Sequence, residues 1–283
     1  MGPIATDWVG DYLDRLFASW RARADTPSGL FDPYLDRQWR RRGGGPRTLV
    51  SQSRLIYVFC RAYERSGDEA YADLARRGIA ALIRSFKDPQ GDGWVWACRG
   101  DGAVADDTWD AYGHAFVILA LATAATVFDD DRHRDLALET WDFMRRRLRD
   151  DRGGLIWRMR RDGGIPDALR SQNPLMHAFE ALLVLAPLDD SGTTRRDAGQ
   201  IWTFLQARML GPGRLPEWCE PDWRPVAAGP RAVIDAGHAF EWAFLLSEAQ
   251  PLFPDDDLLA PGRQFLAFGM RHGYDPADGG IVS

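Results

Sequence analysis

The chain has 283 residues, of which 45% are hydrophobic and 27% charged, the profile of a globular protein with a substantial core. Its net charge is −6, and acidic residues flank two of its three basic clusters. Nucleic-acid binding is therefore not expected, because it needs a concentrated basic footprint. The longest apolar run, residues 115–128, is shorter than the ~20 residues that cross a bilayer, so no membrane segment is expected.

Residue usage narrows the chemistry further. The chain does not open with a charged and then apolar segment, which predicts no secretory signal. The three cysteines, Cys60, Cys98 and Cys219, are odd in number and widely spaced, which fits neither a disulfide framework nor a zinc site and suggests a reducing, cytoplasmic setting. Lys87 is the single lysine and lies in a polar loop without P-loop glycines, which excludes Schiff-base and P-loop chemistry.

A repeat of about sixty residues organises the chain. The first apolar stretch, SQSRLIYVFCRAY, contains Arg54. Three later stretches carry His-Ala-Phe at their head: GHAFVILALA, MHAFEALLVLA and GHAFEWAFLL. Their histidines, His114, His177 and His238, are 63 and 61 residues apart, and Arg54 lies 60 residues before the first of them. The four units therefore present Arg, His, His and His at equivalent positions.

A more polar segment with one apolar face at helical spacing follows each stretch. These segments are Asp68–Phe86, Asp131–Leu148, Thr193–Met209 and Leu258–Phe268. Gly67 before Asp68 is typical of a helix stop followed by an N-cap. Each unit is thus predicted to be a helix pair, with a buried inner helix and a half-exposed outer helix.

Glycine-rich connectors join the pairs. Two of them, GDGWVWACRGDGAV and GGLIWRMRRDGG, alternate apolar and polar residues around an Asp-Gly turn, which predicts short hairpins. The third, GRLPEWCEPDWRPV, is either a lid with Trp218 and Trp223 against a ligand or a structural connector with aromatic anchors.

Inner and outer helices in alternation predict an all-α fold, an (α/α)6 barrel or toroid of helix pairs that forms one domain over residues 1–283. Six pairs need about 360 residues, so the barrel is expected to lack its C-terminal part in this chain. A fragment is the favoured interpretation, and an open ring or one closed by a partner is the alternative.

The histidines in register suggest a shared cavity rather than isolated core positions. His177 and His238 each have a glutamate three residues on, Glu180 and Glu241, on the same helix face. Such a carboxylate fixes an imidazole or binds a ligand, and burying it for structure alone is costly. Histidine as acid or base, with Arg54 stabilising an oxyanion, suits proton abstraction next to a carbonyl.

Other chemistries fit less well. Diiron bundles use Glu-x-x-His, whereas the order is reversed here and a cation beside Arg54 is unfavourable, so no metal is expected. Glycoside hydrolysis usually needs two opposed carboxylates, and here each glutamate comes tied to a histidine. The sequence shows neither a nucleophile elbow nor a dinucleotide fingerprint, and no cofactor is expected.

The stretches SQSRLIYVFCRAY, DAYGHAFVILALA, NPLMHAFEALLVL and DAGHAFEWAFLL resemble the N-acylglucosamine 2-epimerase superfamily of sugar epimerases and aldose–ketose isomerases. The resemblance spans most of the chain and implies an (α/α)6 barrel. It also implies metal-independent chemistry in which a pyranose opens, loses its C2 proton and forms an enediolate. Reprotonation at C2 from the opposite face gives epimerisation, and delivery to C1 gives isomerisation.

The resemblance implies roles for single residues as well. His238 is one of two acid/base histidines, and Glu241 supports the site beside it. Arg54 contacts the substrate oxygens around C1 and C2. His177, with Asn173 four residues earlier on the same helix face, binds the sugar and assists ring opening.

Three further positions are grouped with the substrate-binding residues: Tyr112 lining the pocket, Glu180 in support, and His114, which supports the site or the fold. The family's second catalytic histidine comes from a late inner helix and has no counterpart in this sequence. A polypeptide ending at Ser283 is therefore expected to be inactive or severely impaired on its own.

The Glu-Trp pair in GHAFEWAFLL resembles the mannose-isomerising branch, so the predicted reaction interconverts D-mannose and D-fructose. A 2-epimerase of mannose and glucose, or of a related sugar, is the first alternative, and a catalytically silent sugar-binding protein is the second. The predicted partner is a monosaccharide, and a homodimer is compatible with the sequence.

Overall fold

A computed structural model describes residues 7–91 and 93–281 of the chain. These residues form nine α-helices: α1 (Asp7–Ala24), α2 (Leu49–Ser66), α3 (Glu69–Phe86), α4 (Ala111–Phe128), α5 (Asp131–Arg147), α6 (Asn173–Leu185), α7 (Thr193–Gln206), α8 (Ala236–Ala249) and α9 (Leu259–His272). Short strands lie between them: β1 (Arg47–Thr48), β2 (Ala97–Cys98), β3 (Val104–Asp106), β4 (Trp109–Asp110), β5 (Arg158–Met159), β6 (Arg170–Ser171) and β7 (Trp218–Cys219). The chain divides into two compact units, residues 1–143 and 144–283.

The helix pairs predicted from the repeat are confirmed. The apolar stretches form α2, α4, α6 and α8, and the amphipathic segments form α3, α5, α7 and α9. Arg54 lies on α2, and the three repeated histidines lie within the first five residues of α4, α6 and α8. The repeat does not predict α1, which precedes the first apolar stretch.

Polar side chains close the N-termini of α3, α4 and α8, where backbone N–H groups lack helical partners. Gly67, with a φ of +68°, ends α2, and Asp68 follows it directly. The Asp68 carboxylate accepts a hydrogen bond from the Ala70 N–H at 3.0 Å. The Asp110 and Asp235 carboxylates cap α4 and α8 in the same way. The stop and cap predicted at Gly67 and Asp68 are confirmed.

Helix α4 is apolar on nearly every face, and the rest of the fold covers most of it. By length and composition it is the one helix of the described chain that could cross a membrane, with a mean hydropathy of 1.7 over 18 residues. It is longer than the apolar run in the sequence because its first turn adds Ala111 and its neighbours. The fold buries 78% of it, and a buried core helix passes the same test.

The first unit is built around α2, which packs against both α3 and α4. Between α3 and α4, strands β2 and β3 form an antiparallel hairpin, and β1 pairs with the other edge of β2. The hairpin predicted in this connector is confirmed. Asp92 of the connector lies outside the described residues.

In the second unit α6 packs against α7 and α8, and α8 packs against α9. Strands β6 and β7 pair antiparallel, with Ser171 opposite Trp218, so the third connector lies against the residues that start α6. The Asp-Gly turn predicted in the second connector closes through a 2.8 Å bond from the Arg160 N–H to the Gly164 carbonyl. Val282 and Ser283 lie outside the described residues.

Each unit has an aspartate that shapes the loop after an outer helix and accepts an indole N–H. After α3, the Asp88 carboxylate accepts from Trp109 at 3.3 Å. After α5, the Asp150 carboxylate accepts from Trp223 at 2.6 Å and from the Arg170 guanidinium at 3.1 Å. Burial opposes ionisation of Asp150, but these hydrogen bonds outweigh it and lower its pKa.

Trp223 is an anchor of the fold. It is buried, and its φ of +67° lies in the left-handed region that favours glycine. A Cβ at Gly154 would come within 2.0 Å of its ring, so this loop needs a glycine there. Of the two alternatives for this connector, the structural anchor is the one that Trp223 follows, because its ring is packed and its N–H is bonded. Trp218 remains partly exposed.

Candidate active site

His238 forms the centre of a polar cluster in the second unit. Its Nδ1 lies 2.7 Å from Oε1 of Glu217, which directly precedes β7. Helix α8 holds the imidazole, and the pairing of β7 with β6 holds the carboxylate. The side chain of Glu217 is 10% exposed and that of His238 is 20% exposed, so the ring retains access to solvent.

Gln172, between β6 and α6, joins this pair. Its backbone N–H bonds the Glu217 carbonyl at 3.2 Å. Its side-chain nitrogen lies 3.1 and 3.3 Å from the two carboxylate oxygens of Glu217, and 3.1 Å from Nδ1 of His238. Its side-chain oxygen accepts from the Trp242 indole N–H at 3.0 Å. Trp242 lies four residues after His238, on the same face of α8.

The carboxylates around His238 change its protonation. Burial is the largest single influence and lowers the pKa of the imidazole. The hydrogen bond to Glu217 and the negative charges of Glu217, Asp235 and Glu241 together outweigh burial and raise the pKa of His238 above its usual value. At neutral pH the ring therefore carries a proton more often than an isolated histidine.

Glu217, not Glu241, is the carboxylate bonded to His238. A glutamate three residues on is predicted either to fix the imidazole or to bind a ligand, and no hydrogen bond joins Glu241 to the His238 ring. Glu241 is exposed and acts on the imidazole through its charge. Glu217 and Gln172 were outside the predicted set because they meet His238 only through the β6–β7 pairing. Trp242 lies on α8 with His238, and its bond to Gln172 links it to the pair.

The same proposal holds at His177, whose Nδ1 lies 2.7 Å from Oε2 of Glu180 one turn along α6. His177 is buried, whereas Glu180 is partly exposed. Asn173 lies four residues before His177 on the same face of α6. Its side-chain oxygen is buried and has no hydrogen-bond partner among the described residues, so it can accept a bond from a ligand hydroxyl.

In the first unit the structure brings Arg54 and Tyr112 together. The Arg54 guanidinium donates to the Tyr112 hydroxyl at 2.8 Å, although 58 residues separate them. The guanidinium carbon also lies 4.3 Å from the centre of the Phe116 ring, a cation–π contact. Arg54 is exposed, so two aromatic rings hold a cation that solvent can reach.

His114 is a core residue, which corrects its grouping with the substrate-binding residues. It is fully buried, and its ring stacks on Phe143. Nδ1 lies 2.7 Å from the Asp110 carbonyl, which only accepts, so Nδ1 carries the proton and Nε2 accepts from the Trp94 N–H at 3.0 Å. Burial lowers the pKa of His114 to about 4, so the ring is neutral at pH 7.

Metal ligation has no support in the described part of the chain. No three His, Cys, Asp or Glu side chains there are grouped so that they could hold a metal ion. Residues 7–91 and 93–281 include all three cysteines, which are unpaired thiols in buried positions. The functional groups of the candidate site residues described above are imidazoles, carboxylates and a guanidinium.

The family profile described as N-acylglucosamine 2-epimerase matches residues 29–283. The chain is 29% identical to a D-mannose isomerase from Thermobifida fusca over 289 residues, which cover 94% of this chain and 68% of that protein. It is 25% identical to a cellobiose 2-epimerase from Dictyoglomus turgidum over 257 residues, covering 87% and 65%. The crystal structure of a D-mannose isomerase matches with a TM-score of 0.89 and 22% identity, over 99% of this chain and 74% of that chain. The likeness confirms the predicted fold class, that of the (α/α)6 barrel epimerases.

Proposed function

Because the chain belongs to the N-acylglucosamine 2-epimerase family, a family of sugar isomerases and epimerases, we propose that it interconverts D-mannose and D-fructose. The proposal rests on the His238–Glu217 pair. Glu217 holds Nδ1 of the imidazole, which leaves Nε2 as the nitrogen that can exchange a proton with a substrate. Support for mannose comes from the relative named D-mannose isomerase, at 29% identity.

In the proposed reaction one acid/base histidine takes the proton from C2 of the open-chain aldose. The electron pair of the broken C–H bond forms the C1–C2 double bond, and the carbonyl pair moves to O1. The proton of the O2 hydroxyl then passes to O1, the electron pair of the C1–C2 double bond takes a proton at C1, and the pair left on O2 forms the ketose carbonyl at C2. His238 carries one of the two carbon-directed proton transfers, for which a pKa near neutrality is suited.

Arg54 is the proposed partner of the negative charge that develops on O1 and O2. A preorganised cation lowers the barrier most when it meets charge that appears in the transition state. The bond from Arg54 to the Tyr112 hydroxyl and the packing on Phe116 fix the guanidinium before substrate arrives. Arginine keeps its charge at all working pH values.

Sugar binding and ring opening are proposed for His177 and Asn173. Ring opening moves a proton from the O1 hydroxyl to the ring oxygen, and a histidine oriented by Glu180 can serve as the relay. The unpartnered Asn173 oxygen gives a sugar hydroxyl an acceptor that is otherwise unsatisfied.

A 2-epimerase is the second candidate, supported by the cellobiose 2-epimerase relative and by the family description. It shares removal of the C2 proton and differs only in where the proton returns. The two candidates therefore make different products from one substrate.

Proton NMR of D-mannose in deuterium oxide separates them. The assay uses the 283-residue polypeptide and the full product of its gene, which also tests the expected impairment of the shorter chain. Fructose with deuterium at C1 supports the isomerase, and glucose with deuterium at C2 supports the epimerase. If the folded full-length protein exchanges the C2 proton of neither mannose, glucose nor cellobiose, the isomerase and the epimerase are both contradicted.

A further inference from the structure

Three buried side chains form a continuous hydrogen-bonded series that ends on His238. Trp242 donates to Gln172, and Gln172 donates to Glu217, which is bonded to His238. Trp242, Gln172 and Glu217 are 1%, 2% and 8% exposed, so solvent competes little for these bonds. The three come from α8, from the start of α6 and from the edge of β7, far apart in sequence.

The chemistry of the groups fixes the direction of each bond. An indole N–H can only donate, so the Gln172 oxygen faces Trp242 and its amide nitrogen faces Glu217. An ionised carboxylate can only accept, so the 2.7 Å contact with His238 requires a proton on Nδ1. The 3.1 Å approach of the Gln172 nitrogen to Nδ1 then brings together two donors that share the acceptor Glu217.

Each member of the series is held by more than this one bond. Trp242 packs against the rings of Phe179, Trp202 and Phe265. The Gln172 backbone N–H bonds the carbonyl of Glu217 itself, so the two side chains keep a fixed separation. Neither side chain can turn away without leaving a buried polar group unpaired, which is costly.

We propose that Glu217 and Gln172, with Trp242 behind them, are positioning residues that hold His238 as the Nδ1–H tautomer and direct its Nε2 at the sugar carbon. The proposal rests on the proposed function only in naming a sugar as the substrate that Nε2 faces. The tautomer itself is a property of the resting protein. Such a device matters because a histidine with the wrong nitrogen protonated cannot accept the proton the reaction delivers.

The decisive variant is Glu217→Gln. The amide of the new glutamine can turn its N–H towards Nδ1 of His238. Nδ1 then accepts that bond, and the neutral ring carries its proton on Nε2 instead. Glu220→Gln is the matched control, because it makes the same change three residues along the same connector, on a carboxylate with no contact to His238. Trp242→Phe keeps an aromatic ring but removes the indole N–H. Trp202→Phe is its control, because it makes the same replacement of indole by phenyl at a ring that packs against Trp242.

Nitrogen-15 NMR of labelled histidine, recorded against pH on the unliganded protein, reads tautomer and pKa directly. The His238 signals are identified by their loss in His238→Gln. In the parent and in both controls we expect the Nδ1–H tautomer with a raised pKa. In Glu217→Gln we expect a lower pKa and a switch to Nε2–H, and in Trp242→Phe a mixture of tautomers.

Kinetics provide the second measurement. With the full-length protein and mannose, Glu217→Gln is expected to lower kcat between about 10- and 10³-fold with little change in KM, and to move the His238 limb of the pH profile to lower pH. Glu217→Asp restores the charge and should recover part of the loss. A variant that only loosened the fold would lower the folded fraction without moving the pH limb.

The two proposals fail in different ways. If Glu217→Gln leaves the tautomer and the pKa of His238 as in the parent, the positioning proposal is overturned, whatever the activity. If the NMR signals change as expected but no variant and no parent protein turns over any sugar, the positioning stands and the proposed function is contradicted.

Discussion

Two histidines occupy the same place in the same motif, Gly-His-Ala-Phe, and their surroundings in the two units shift their pKa values in opposite directions. In the first unit His114 is fully buried and spends both ring nitrogens on backbone groups, and burial lowers its pKa to about 4. In the second unit His238 keeps access to solvent and gives one nitrogen to Glu217, which raises its pKa.

The difference arises in the connectors rather than in the helices. The connector before α4 offers His114 the backbone N–H of Trp94, a neutral donor that requires a bare Nε2. The connector before α8 offers His238 the carboxylate of Glu217, an acceptor that requires a protonated Nδ1. A repeated histidine thus predicts a helix position, while its chemistry depends on the residue that the neighbouring loop supplies.

The largest effect expected from this comparison is on turnover in His238→Gln. Loss of an acid/base group lowers kcat by about 10²- to 10⁴-fold, and the amide can still donate to Glu217 and keep the fold. The measurement is the rate of C2 proton exchange per folded molecule of the full-length protein. Turnover within tenfold of the parent would show that His238 does not carry proton transfer.

In His114→Ala the loss should appear in stability instead. The change leaves the Trp94 N–H buried without its acceptor and opens a cavity, so the free energy of unfolding should fall by about 3–5 kcal/mol. Urea unfolding measures the fall, and C2 exchange is scored per folded molecule. A stable variant that lost turnover would instead place His114 in the chemistry.

The pH dependence of stability should have opposite signs at the two positions. The pKa of His114 is lower in the folded chain, so the unfolded chain takes up the extra proton and stability falls as pH drops from about 6.5 towards 4, by at most about 1.4 kcal/mol per pH unit. The pKa of His238 is higher in the folded chain, so its contribution is complete below about 6.5 and is lost as pH rises through the folded value.

Urea unfolding across this pH range tests both signs in His114→Gln and His238→Gln. The first variant should flatten the acid side of the profile, and the second should flatten the neutral-to-alkaline side. Identical profiles in the two variants would contradict the contrast between the two positions.

The smallest effect is expected from Glu241→Gln. Because Glu241 is exposed and acts only through its charge, its removal should lower the pKa of His238 less than Glu217→Gln does and leave the tautomer unchanged. The shift should shrink further in high salt. A tautomer change in this variant would show that Glu241 also fixes the His238 imidazole, one of the two roles that the sequence suggests for it.

The sequence predicts the helices well because their signal is local. The apolar period alone places eight helices within a few residues of their observed bounds, and Gly67 with Asp68 marks a boundary correctly. Helix α1 precedes the first apolar stretch, so the repeat does not predict it. The pair of His177 and Glu180 is predictable for the same local reason, since both lie on one helix turn.

The partners of His238 and Trp223 depend on contacts between distant segments, and no period in the sequence encodes them. Glu217 reaches His238 through the β6–β7 pairing, and Trp223 reaches Asp150 across an entire helix pair. The predictions for the third connector concern its tryptophans, Trp218 and Trp223, and leave out Glu217.

The two aspartate–indole contacts also set an order of events during synthesis. Asp88 and Trp109 are 21 residues apart, whereas Asp150 and Trp223 are 73 apart. The longer closure costs about 1 kcal/mol more chain entropy, and contacts of large separation form late. The loop after α3 can close before Trp223 has been synthesised. The loop after α5 waits until the third connector has emerged, and until then the nascent chain offers chaperones and proteases an unfinished second unit.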